Sequence, residues 1–174
     1  MNNSAIIESL QTNHQQFADY IASLSTAEFL HRKEDKWTPA EHADHIVKSI
    51  SPVVMTFGLP RIAPRLLFGK STRTSRTYDA LIEKYKEKLS KGGKASGKFV
   101  PMEVGLQEQR LLAKSIMYYT NKLCKLIENA EEEHLDIYVL PHPLLGKLTF
   151  REMLYFTAYH VQHHHEIIKR DLGK

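Results

Sequence analysis

Four stretches of this chain repeat apolar residues at steps of three and four, and that spacing limits the chain to helices that each bury one face. The stripes are Ile7, Leu10, His14, Phe17, Ile21 and Leu24; then Ile46, Ile50, Val53 and Phe57; then Leu112, Ile116, Tyr119, Leu123, Leu126 and Ala130; and last Met153, Phe156, Ile167 and Ile168, with His160 and His164 between them. A helix with one apolar face is stable only against partners that cover it. The pattern predicts an all-α fold, an up-and-down four-helix bundle in a single domain over 1–174. No strand alternation or internal repeat stands out.

Helix starts are written as capping sequences. Ser25 to Glu28 ("STAE") opens a short turn, Thr38 to Glu41 ("TPAE") opens helix two with Pro39 at its first position, and Thr149 to Glu152 ("TFRE") opens the last helix. Helix one is expected from about Ser4 to Leu24, and Pro52 is expected to end or kink helix two. Between helices two and three the pattern breaks into a long excursion. "GLPRIAPRLLFGK" and "GGKASGKFVP" read as loops around a charged helix in "SRTYDALIEKYKEKLSKG". "HLDIYVLPHPLLGKL" reads as a proline- and glycine-punctuated connection into the last helix.

A formal charge of +4 is modest, and most of the excess lies in the excursion, where Arg61, Arg65, Lys70, Arg73, Arg76, Lys84, Lys86, Lys88, Lys91, Lys94 and Lys98 face only Asp79, Glu83 and Glu87. Nucleic-acid binding adds a reading module or aromatic platforms, and neither is present, so no nucleic-acid partner is expected. No apolar run approaches the ~18 residues of a membrane span, and the N-terminal stretch lacks the features of a signal peptide. A cytoplasmic protein without a membrane partner is the expectation, and association of two copies through a bundle face is compatible with it. The single cysteine, Cys124, lies in a helical pattern as a buried thiol without a role.

Four of the ten histidines fall within six positions, in "HVQHHH". At about 100° per residue, His160 and His164 share the apolar stripe one turn apart, His163 falls at its edge, and His165 turns toward the polar face. Two buried imidazoles one turn apart need partners, and a divalent metal serves both at once. A third ligand has to come from another helix. Helix two offers His42 just inside its apolar face and His45 just outside it, and periodicity does not choose between them; His14 lies on the helix-one seam.

"KWTPAEHADHI" and "HPLLGKLTFREMLYFTAYHVQHHHEI" resemble the two signature segments of the DinB-like (DinB/YfiT) metalloprotein superfamily, with "KGGKASGKFVP" resembling its branch with a long second connection. The resemblance implies a four-helix bundle holding one divalent metal, zinc or nickel, through one helix-two histidine and two from the last helix. Aligned on the motifs these are His45, His160 and His164. The chain departs from the frequent "HRGQ" ending with "HHEI". Three neutral imidazoles leave positions open, as catalytic sites do. The resemblance further implies a thiol-dependent S-transferase that brings a small thiol to an electrophile, with metal-dependent hydrolysis as the alternative and a non-catalytic, stress-associated metal-binding bundle as the third reading. Glu41, one turn before His45, is a candidate base alongside its capping role, and His163 a candidate proton shuttle.

Overall fold

The computed structural model describes residues 1–60 and 62–174, so Arg61 of the basic excursion lies outside the described residues. Its elements are α1 (Asn3–Ser23), α2 (Thr26–Phe29), α3 (Pro39–Phe57), α4 (Ile62–Phe68), α5 (Tyr78–Ser90), α6 (Gln109–Glu128), α7 (Glu132–Ile137), β1 (Val139–His142), β2 (Gly146–Thr149) and α8 (Phe150–Asp171). The fold is mostly helical, and no single helix among the described residues is long and apolar enough to cross a membrane.

The three capping boxes form as written: Ser25, Thr38 and Thr149 each accept from the backbone three residues on, and Glu28, Glu41 and Glu152 reach back to the cap. The seams also form, with small shifts of register. Ile6 rather than Ile7 is buried in α1, and Ile127 rather than Leu126 in α6. Pro52 does not end α3, which continues through it to Phe57. Short elements also lie where only loop was expected: α4, α7 and the antiparallel pair β1–β2, in which His142 faces Gly146. Each strand is four residues long, with Pro141 inside the first, so a period of two has no length over which to show. Gly146, at φ 77°, supplies the left-handed residue that closes this hairpin.

The four long helices pack around two hydrophobic clusters, but not in an up-and-down order. Asn3 reaches Ile127 and Ala130 while Gln109 reaches Ile21 and Leu24, so α1 and α6 are antiparallel. Met1 meets Tyr155, and Asn13 meets Ala158 and Gln162, so α1 and α8 run the same way. His45 faces His160 and Phe57 stacks on Phe150, so α3 opposes α8 and therefore runs with α6. A short loop joins only antiparallel neighbours. Parallel α3 and α6 require a chain that travels back along the molecule, which is the physical reason for the long excursion.

That excursion is anchored by charge. Arg73 grips the Glu152 carboxylate with two bonds of 2.6 Å, Arg76 adds its backbone N–H at 2.8 Å and its guanidinium at 3.0 Å, and the Glu152 side chain is fully buried. The third residue of α8 is at once its cap partner and the anchor of the segment before α5.

Candidate metal centre

The core-facing stripes of α3 and α8 meet at His45, His160 and His164, and their ligand atoms all lie within 4.8 Å of one another. The Nε2 atoms of His45 and His160 are 3.3 Å apart, and those of His160 and His164 are 3.0 Å apart. All three residues are buried, and burial is the first cause that lowers each imidazole's pKa, that of His160 and His164 well below the ordinary range. They are therefore neutral at pH 7, the form in which histidine binds metals.

The hydrogen bonds around the triad fix where its protons are. The Phe99 carbonyl can only accept, so the contact of 2.6 Å makes His45 Nδ1 the donor and leaves its Nε2 a bare lone pair. His160 Nε2 then faces two nitrogens. It carries either one proton or one lone pair, so at most one of the two short contacts can hold a hydrogen bond. A cation at their meeting point satisfies all three nitrogens at once. Metal–nitrogen bonds of about 2.0–2.1 Å set imidazole nitrogens on one ion about 3–3.4 Å apart, the spacing of the His45–His160 and His160–His164 pairs. The donor set fits a divalent ion.

Around the triad lies a ring of supports. Trp37 sits against His42, His45 and His164 at 5.5, 5.0 and 6.2 Å between ring centroids, and Phe156 stacks on His160 at 4.6 Å. His42 places its Nδ1 2.7 Å from Nδ1 of His164. Both helix-two histidines thus face the centre, His45 within the triad and His42 behind it. His163 is half-buried, 5.4 Å from His164 between ring centroids, and outside the triad; His165 turns away to Phe17 and Tyr20. Glu41 uses one oxygen on the Thr38 backbone and the other on Arg32, both at 2.7 Å, and does not line the site cavity. Its position serves the cap and the ion pair. Burial holds the Cys124 thiol up at about 11, as befits a core residue.

A sequence profile of the DinB superfamily matches residues 9–168. The chain belongs to the DinB superfamily. Comparison with curated proteins and with solved structures returned no match. In this DinB chain the triad opens onto a cavity of about 880 Å³. The excursion builds one wall of it, through Phe68, Tyr85, Lys94, Lys98 and Phe99, and the β1–β2 hairpin adds His142. Periodicity had no means of placing these residues. Tyr85 is 4% exposed, and its hydroxyl has no hydrogen bond among the described residues. His142 accepts the backbone N–H groups of Leu144 and Leu145 on Nδ1, both at 3.1 Å, which leaves its Nε2–H as a donor. His14 gives its Nδ1–H to the Leu10 carbonyl at 2.8 Å, so its Nε2 is an acceptor; burial holds its pKa at about 4.

Proposed function

We propose that this protein is a metal-dependent enzyme on a four-helix bundle, in which His45, His160 and His164 hold one divalent ion, zinc or nickel, and which transfers a small thiol onto an electrophile. The observation that carries the reading is the convergence of three neutral histidine nitrogens at the wall of a cavity large enough for two small reactants. A divalent ion there supplies Lewis acidity, lowering the pKa of a thiol or water that reaches it.

The chain's own groups supply the rest. Lys94 and Lys98 have no acidic partner among the described residues and line the cavity, where they suit the carboxylates of an anionic thiol. Arg73 and Arg76, in contrast, are engaged with Glu152 inside the fold and do not contribute to such a site. His163 is neutral at pH 7, its pKa lowered first by burial and then by nearby Arg170 and Lys86, and it lines the same cavity. It takes the S–H proton as the sulfur bonds to the electrophilic carbon, and returns that proton to the group that leaves with the bonding pair. The free Tyr85 hydroxyl is placed to donate to an oxygen of either reactant.

The test is a panel of cellular thiols with a chromogenic acceptor, assayed with zinc- and nickel-loaded protein and with His160→Ala as control. Thiol-dependent turnover lost in the variant supports transfer. Turnover without thiol, equally lost in the variant, assigns hydrolysis instead, and equal rates for protein and variant remove both enzymatic readings.

A further inference from the structure

The His164 ring continues into a chain of hydrogen bonds whose proton positions are forced once its Nε2 serves as a ligand, as the proposed function requires. That nitrogen is then a lone pair, so a neutral His164 carries its proton on Nδ1. Nδ1 lies 2.7 Å from His42 Nδ1, which must accept. A ring that accepts on Nδ1 carries its proton on Nε2. His42 is 5% exposed, and Nε2 has no hydrogen bond among the described residues.

An acceptor without a donor lies nearby. Asp171, two turns beyond His164 on the same face of α8, binds Lys36 at 3.3 Å and Arg170 at 3.1 Å through Oδ1, while its Oδ2 is buried and unpartnered. His42 and Asp171 both border a small void of about 10 Å³, lined also by Trp37, Pro39 and Ile168 and by the exposed His31 and Lys33, and both residues border the main cavity too. A void of roughly that size holds a single water, and a polar lining favours one.

We propose that a water in this void accepts from His42 Nε2–H and donates to Asp171 Oδ2, completing a relay from the carboxylate through water and His42 to His164. His42 and Asp171 are positioning residues: the relay fixes the His164 tautomer and ring plane and strengthens its Nε2 as a ligand. Outer partners of this kind are worth about 10–100-fold in metal affinity.

Zinc affinity, measured by chelator competition on apoprotein prepared without a nickel column, tests the relay together with a high-resolution crystal structure. Asp171→Asn removes the charge at constant size and should weaken zinc binding about tenfold. Lys36→Met removes an ion pair to Oδ1 and leaves the relay intact, so its affinity should stay within about twofold of wild type. The crystal structure should show a water within about 3 Å of both His42 Nε2 and Asp171 Oδ2. No water there, or zinc affinity of Asp171→Asn equal to wild type, overturns the relay. Wild-type protein that takes up no zinc or nickel overturns the metal reading instead, and the water still decides the relay.

Discussion

The Nδ1–H of His45 donates to the carbonyl oxygen of Phe99 at 2.6 Å, so the excursion that carries the chain from α3 back to α6 also sets the tautomer of the α3 histidine. One segment does two tasks, crossing the molecule and presenting a backbone acceptor to the metal centre.

Replacing residues 93–100 with a short glycine–serine linker should therefore lower zinc affinity by about 10–100-fold while the helical circular dichroism stays near that of wild type. Phe99 contributes through its carbonyl, so Phe99→Ala alone should change affinity much less. Equal losses in the two variants would mean that the side chain, not the hydrogen bond, holds His45.

Alanine at His45, His160 or His164 should each abolish stoichiometric retention of zinc or nickel after dialysis. His163→Ala should retain the metal, because its ring lies outside the triad. X-ray absorption of the loaded protein should show about three imidazole nitrogens at about 2.0–2.1 Å. Metal retained in His45→Ala, with loss in His42→Ala, would move the ligand from one helix-two histidine to the other.

Glu152→Gln should destabilise the protein by about 2–3 kcal/mol in urea denaturation, toward the lower end for a broken buried pair because the two arginines it leaves are partly exposed. The loss should be largely absent when Arg73 and Arg76 are replaced together with it. Additive losses would show that the carboxylate's cap role dominates.

The buried histidines make the apoprotein sensitive to mild acid. Burial lowers the pKa of His14 and His42 from 6.5 to about 4, so the unfolded chain binds protons that the folded chain refuses between those values. Their contribution is complete above pH 6.5 and is lost as pH falls toward 4, by on the order of 2 kcal/mol per residue at pH 5. The urea midpoint of the apoprotein should fall from pH 7 to pH 5, and His14→Leu should flatten part of that slope. A midpoint independent of pH across this range would contradict the neutral assignment.

Local chemistry determined what lies within a few turns of itself. The capping boxes at Ser25, Thr38 and Thr149 form because their partners are three residues away, and His160 and His164 point inward together because 3.6 residues make a turn. The pairing of α8 with a helix-two histidine was also legible, though periodicity left His42 and His45 open and only the family resemblance favoured His45. Tertiary structure gave both a place, one in the triad and one behind His164, because the margin of a helix face belongs to the core or not according to the neighbour laid against it. It alone decided that α3 and α6 run in the same direction, that Phe99 reaches His45, and that Arg73 and Arg76 close on Glu152 instead of facing an anion. These contacts join residues far apart in the chain, where neither spacing nor propensity at one end carries information about the other. The two short strands escaped for the opposite reason: four residues are too few to display a period, and their pairing is set by a turn whose cap is the His142 side chain.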